Sequence, residues 1–256
     1  MALHALRPST VPDSDRFRDT LLSVMDRKDH PSYWRLMSPG ATRDQLLIHY
    51  IQEWAVYVRD FPVFLARVHS LCPEPEIRRE LAENLYEEET GGISGGGPHA
   101  ELFLRMMDGL GFNRLNFEHV PLLAESRAYR DFIDNATERA PWLVGLAVAT
   151  IFVEGSRNDR VEIGAGSPAR GHKHAAPGED PIANDPLVLH HGLDPRYLEL
   201  KRVHRKVEGS HRLSAWSAVL GHATSTEERA EVAAALEDAL ALWAAYRDGV
   251  ASAAGV

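Results

Sequence analysis

Two histidines and a glutamate fall on one stripe in the run His204-Arg-Lys-Val-Glu208-Gly-Ser-His211. Spacings of four and three put all three side chains on one face of a helix. Two imidazoles and a carboxylate converging in this way make a ready metal site; the plainer reading is an exposed charged face. A second acid, Glu154, ends the apolar run 141–153 and follows Leu143, Ala147 and Thr150 or Ile151 at helical spacing. A carboxylate on a buried face requires a partner, because an unpaired buried charge is very costly. The competing reading is a frayed helix end that reaches water. The third group is Asn84-Leu-Tyr-Glu87-Glu88-Glu89-Thr-Gly91, followed after a glycine-rich stretch by His99. Three glutamates at a helix C-terminus oppose the helix dipole and call for compensation. Ile77, Leu81, Leu85 and Glu88 share a stripe, which turns Glu88 inward. Glu89, four residues after Leu85, is the alternative, and Glu87 reads as a solvated acidic end. His99 opens the next helix, either as a ligand or as a cap.

Together these groups offer Glu88, His99, Glu154, His204, Glu208 and His211, distributed over four helices. Three carboxylates and three imidazoles suit two metal ions with bridging carboxylates. Oxygen and imidazole donors favour iron or manganese over thiolate-seeking metals.

The elements that must position these residues read as helices throughout. Apolar positions recur at spacings of three and four, and strand patterns are scarce. Helices are expected over 15–27, 43–59 with Thr42 as N-cap, 61–70, 75–89, 99–109, 126–137, 141–154, 195–222 and 225–248. Gly91, Gly92, Gly95, Gly96, Gly97 and Pro98 form a loop. Residues 155–194, rich in glycine and proline and poor in apolar periodicity, read as a long loop insertion. The whole chain, 1–256, is expected to be one all-α domain.

Composition sets the outer limits. The 256 residues are 44% hydrophobic and 25% charged, which suits a globular chain with a sizeable core. The formal net charge of −9 argues against nucleic acid or anionic membrane as a partner. No segment supplies the roughly 20 apolar residues of a membrane span, and residues 1–15 hold no signal-peptide run. A lone cysteine, Cys72, excludes an internal disulfide and suits a reducing cytoplasm. Histidine, at 13, is the unusual count.

The motifs in order resemble those of the heme-oxygenase-like diiron oxidases and oxygenases, which are related in fold to pyrroloquinoline-quinone synthase and thiaminase II. The matching features are Asn84-Leu85-x-x-Glu88, His99 before Leu102-Phe103, Glu154 on a central apolar helix, and His204-x3-Glu208-x2-His211. They span roughly residues 40 to 225. Glu208 stands where that family usually has aspartate, and the 155–194 insertion is longer than its usual connection. Some relatives carry a further carboxylate on an earlier helix. Glu53, in His49-Tyr50-x-x-Glu53-Trp54-x-x-Tyr57, is the candidate here, against a core helix with one satisfied polar residue.

The resemblance implies a heme-oxygenase-like bundle of about seven or more helices. It also implies two ferrous ions, with manganese as the substitute, and dioxygen as co-substrate. The expected reaction is oxidation of a small organic molecule, by N-oxygenation of an amine or by oxidative C–C cleavage of an amino or fatty acid. A homodimer is compatible with such a fold. Arg157, Arg160, Arg202 or Arg205 would hold a substrate carboxylate. His172, His174, His190 and His191 would belong to a lid, or else to a mobile surface insertion. Two rival classes are defined by what they would need. One is a metal-free enzyme of the same fold, a quinone-synthase-like oxidase or a thiaminase-like hydrolase, the latter with Cys72 as its nucleophile. A non-enzymatic iron store would need two Glu-x-x-His pairs on separate helices, and only Glu208-x-x-His211 is one.

Overall fold

The computed structural model describes residues 13–156, 159–164 and 182–256; at 162, 164 and 206–210 it describes the backbone alone. Every regular element among the described residues is helical. The α-helices are α1 (Asp13–Asp26), α2 (Pro31–Leu36), α3 (Arg43–Glu53), α4 (Phe61–Leu71), α5 (Pro75–Thr90), α6 (His99–Gly109), α7 (Ala124–Glu138), α8 (Trp142–Leu146), α9 (Asp159–Gly164), α10 (Pro186–His191), α11 (Glu199–His222) and α12 (Thr226–Ala254). None of them is long and apolar enough to cross a membrane.

Local chemistry starts and stops the helices that matter. Thr42 accepts from the Gln45 amide while the Gln45 side chain accepts from the Thr42 amide, a reciprocal box that begins α3. Ser225 and Glu228 repeat the arrangement at α12. Gly91 ends α5 in the left-handed region at φ 61°, with its Cβ position 2.2 Å from the Gly97 backbone. Any other residue there would be strained and would collide with the loop.

Two helices depart from regular α geometry. Residues expected as one helix over 43–59 turn into a π-helical segment at Trp54–Val58, where the Arg59 amide reaches back five residues to the Trp54 carbonyl at 3.1 Å. The run expected over 141–154 is α8 followed by a π-helical segment, Ala147–Val153. A π segment admits an extra residue and rotates everything after it, a device common at functional sites. Here it sets the direction of Glu154, which follows directly. This segment is the centre of the core, with Ala147, Val148, Ala149, Ile151 and Phe152 fully buried. It packs against α11, α12 and α7. Lys28, just beyond α1, donates to the carbonyls of Phe152, Val153 and Gly155. A cation thus satisfies the carbonyl end, where the helix dipole is negative.

The insertion differs from the expected loop. Among its described residues it holds two short helices, α9 and α10, and residues 165–181 lie outside the described part. Helix α2 is also absent from the expected elements; its six residues are too short to show a period. Asp159 of α9 is fully buried, 3.6 Å from Arg212 and 3.4 Å from the Trp216 indole, and so ties the insertion to α11.

A charged cluster joins α4 to α7. Asp60 accepts from Arg130 at 2.6 Å and from Arg59 at 2.7 and 2.8 Å, and Arg130 also reaches Asp134 at 2.7 Å. Burial pushes the Asp60 carboxyl up, but Arg59 and Arg130 outweigh that and hold it at about 2, below its ordinary 3.8. This corresponds to roughly 2 kcal/mol at most, and partial exposure trims it to about 1–2 kcal/mol. Because the folded value is depressed, the contribution is complete above about pH 4 and is lost as pH falls through about 2. Asp60→Asn is therefore expected to lower urea stability by about 1–2 kcal/mol at neutral pH, and the gap should narrow in acid. An equal gap at pH 7 and pH 3 would refute this assignment.

Candidate metal centre

The last turn of α5 and the first residue of α6 face each other across the glycine loop. His99, only 4% exposed, places Nδ1 2.8 Å from Glu88 Oε1 and Nε2 3.3 Å from Glu87 Oε1. Glu87 is fully buried, and its Oε2 accepts from the amides of Ile93 at 2.8 Å and Ser94 at 3.1 Å. Those loop amides are the compensation that a glutamate run at a helix C-terminus requires. Burial pushes Glu87 up, but the hydrogen bonds of Ser94 and Ile93 outweigh it and leave the carboxyl below its usual range. Burial also opposes a charge on His99, yet the Glu88 and Glu87 carboxylates prevail and raise its pKa.

Helix α11 brings His204 to the same place, its ring centroid 4.9 Å from that of His99. One donor atom from each of Glu88, His99 and His204 lies within 4.8 Å of the others. A cavity of about 230 Å³ opens beside this triad and is also lined by Glu154, His211, Tyr57, Phe61 and Leu200. Asn84 Nδ2 donates to Glu154 Oε1 at 2.8 Å, the partner that a carboxylate on an apolar helix demands.

Five of the six residues predicted from sequence, Glu88, His99, Glu154, His204 and His211, thus line one cavity. Glu208 belongs to α11, between His204 and His211, but its side chain lies outside the described part. Of the two glutamates left open, Glu88 lines the cavity and Glu89 is exposed. The expectation for Glu87 requires correction: it is a buried anchor for the loop and for His99, not a solvated end. Sequence reasoning missed it because its partners are backbone amides.

The donors fit hard or borderline divalent ions such as ferrous iron or manganese. They supply imidazole and carboxylate without a thiolate. Glu87 at His99 Nε2 has the place of the outer carboxylate that would orient a ligating imidazole, with Nδ1 toward Glu88. Cys72 sits at the end of α4, its Sγ 3.7 Å from the Glu74 carbonyl, and is not among the residues that line the cavity. Burial pushes its thiol up, which opposes the nucleophilic role.

Other expected participants go elsewhere. Arg160 pairs with Asp26 at 2.8 Å and Arg202 bonds the Pro195 carbonyl at 2.9 Å; Arg205 is exposed, and none of the three lines the cavity. The Arg160 and Arg202 side chains are committed to a local acid and a local carbonyl. Arg157, His172 and His174 lie outside the described residues, and His190 and His191 form the last turn of α10. Glu53 is held in a separate buried cluster. Its Oε2 lies 3.2 Å from His49 Nε2, and its Oε1 accepts a hydrogen bond from the Tyr57 hydroxyl and faces Arg247 Nη2 at 3.4 Å. Both oxygens are engaged, which matches the satisfied core residue rather than a further ligand. Tyr57, on the π-helical segment, links this cluster to the cavity wall.

A family model described as iron-containing redox enzyme matches residues 48–244. The chain belongs to that family. Three relatives are named 4-aminobenzoate synthase. The chain is 30% identical to the one from Chlamydia muridarum over 112 residues, which is 42% of this chain and 45% of the relative. It is 31% identical to that of Chlamydia trachomatis over 78 residues, 29% of this chain and 33% of the relative. The matched stretches therefore span less than half of these relatives. Among solved structures, a TenA homolog from Pseudomonas syringae pv. tomato superposes with a TM-score of 0.68 at 13% identity, covering 96% of this chain and 95% of that one. A domain of unknown function from Shewanella denitrificans, with a heme oxygenase-like fold, gives 0.62 at 15% identity over 94% and 93%. At these identities the likeness establishes the fold, which is the heme-oxygenase-like bundle expected from the motifs. The family to which residues 48–244 belong is one described as iron-containing redox enzymes.

Proposed function

We propose that this family member is a dinuclear non-heme iron oxidase or oxygenase. Its ligands are Glu88, His99, Glu154, His204, Glu208 and His211, and it oxidises a small organic substrate with dioxygen in a biosynthetic step. The observation that carries this reading is the gathering of Glu88, His99 and His204 donors within 4.8 Å, with Glu154 and His211 on the same cavity. The names of the chlamydial relatives support a biosynthetic reaction on a small molecule.

Bound ferrous iron would supply the electrons for dioxygen activation. The chain supplies positioning. Glu87 holds His99, Asn84 holds Glu154, and the loop amides hold Glu87, so the ligands are fixed before metal arrives. Phe61, Val58 and Leu200 keep part of the cavity wall apolar and limit water.

Protein purified anaerobically and reconstituted with ferrous iron is expected to hold two irons per chain and to consume dioxygen. Elemental analysis and an oxygen electrode read the two quantities. Protein that retains no stoichiometric iron, or loaded protein inert to dioxygen, would sink the proposal; retention of manganese alone would redirect it.

A further inference from the structure

A second cavity, of about 90 Å³, lies on the other side of His211, which lines both. Its walls include Leu81, Leu146 and Ala215, and its polar lining includes Asn84. Asn84 is 5% exposed, and the two ends of its amide are chemically distinct. The Nδ2 end donates to Glu154 Oε1 at 2.8 Å. An ionised carboxylate oxygen only accepts, so this contact fixes which end is nitrogen. The other end, Oδ1, is then an acceptor, and it is buried without a hydrogen-bond partner. Buried acceptors are nearly always satisfied, so an orphan at a cavity wall indicates a missing donor.

The mouth of this cavity narrows the chemistry of that donor. Glu80 and Glu83 line it and are exposed, and neither makes an ion pair among the described residues. Two carboxylates at an entrance raise the local concentration of cations and repel anions. The volume is below that of an engineered cavity that takes up benzene, so only a group of a few heavy atoms fits.

We propose that this second cavity binds the amino end of a small, apolar-bodied amine, with Asn84 Oδ1 accepting its N–H and Glu80 and Glu83 drawing it in as the ammonium. The catalytic meaning of the site rests on the reading of the neighbouring cavity as the iron centre, since His211 stands between the two. The binding itself does not. A substrate that enters this way carries its amino group, not a carboxylate, toward the centre.

The test uses the metal-free full chain. Ethylamine, n-propylamine and n-butylamine are titrated against the alcohols of equal length, with amide chemical shifts followed by NMR. Saturable shifts are expected at the helix turns bearing Leu81 and Ala215, with the amines about tenfold tighter than the alcohols, because a charge-assisted hydrogen bond replaces a neutral one. Glu80→Gln combined with Glu83→Gln, both exposed and safe for folding, should weaken the amines several-fold and leave the alcohols unchanged. Ala218→Leu, which fills the cavity and spares Asn84, should abolish both responses. Equal binding of amines and alcohols, no saturable shift from any amine, or unchanged binding in Ala218→Leu would each overturn the proposal. A chain that binds amines but never iron would keep this site and lose the proposed function; a chain that binds iron but no amine would do the reverse.

Discussion

His99→Ala is expected to strip iron from the protein while leaving it folded. His99 stands between two carboxylates, 2.8 Å from Glu88 and 3.3 Å from Glu87, and is almost wholly buried. Its removal deletes one donor and also leaves Glu87 and Glu88 facing each other with no proton donor between them. Loss of an outer-shell partner alone typically costs about 10–100-fold in metal affinity, so loss of the ligand should exceed about 100-fold. Glu87 keeps its bonds to the Ile93 and Ser94 amides, which is why the loop and the fold should survive. Iron per chain after anaerobic reconstitution is the measurement, with the circular dichroism spectrum as the control for folding. His99→Gln should bind little better than His99→Ala, because an amide can bridge the carboxylates but is a poor ligand. A folded His99→Ala protein with its full iron complement would remove His99 from the centre.

The parts of this site that are legible in the sequence are those whose geometry is local. His204 and His211 share a helix face by spacing alone, and Glu88 and His99 flank one loop. The Thr42 cap is legible for the same reason, since both members of its box lie within four residues. The π-helical segments are not legible, because a single inserted residue leaves no signature in a thirteen-residue apolar run such as 141–153. Their effect on Glu154 therefore required the backbone. Glu87 escaped because amides have no sequence identity. The 155–194 stretch concealed α9 and α10, each of six residues, because one and a half turns cannot establish a period. The Glu53 cluster was half visible: His49, Glu53 and Tyr57 stand four apart, but the charge that decides their state, Arg247, is nearly two hundred residues away.

That charge carries the largest expected effect on stability. Arg247 is 6% exposed. It faces Glu53 at 3.4 Å, the Tyr57 hydroxyl at 3.2 Å and His49 Nδ1 at 3.5 Å, over the rings of Tyr33, Trp243 and Tyr246. Burial opposes its charge, yet Tyr246, Tyr57 and Glu53 restore it and raise its pKa further. Burial pushes Glu53 up, but His49 and Arg247 hold it well below the carboxylate range, so the pair is ionic at any ordinary pH. Arg247→Met keeps most of the side-chain volume and deletes the cation. Glu53 is then a buried carboxylate left with only the His49 imidazole and the Tyr57 hydroxyl for partners. Breaking one side of a buried pair costs about 3–5 kcal/mol, whereas replacing both sides is often nearly neutral. Arg247→Met should therefore lose about 3–5 kcal/mol in urea denaturation, and Arg247→Met with Glu53→Gln should recover most of it, giving a coupling of at least about 2 kcal/mol. Neither residue lines the proposed iron cavity, so iron per folded chain should be unchanged in both variants. A loss under about 1 kcal/mol for the single variant, or no recovery in the double, would mean that packing against the aromatic rings, and not the ion pair, is what Arg247 contributes.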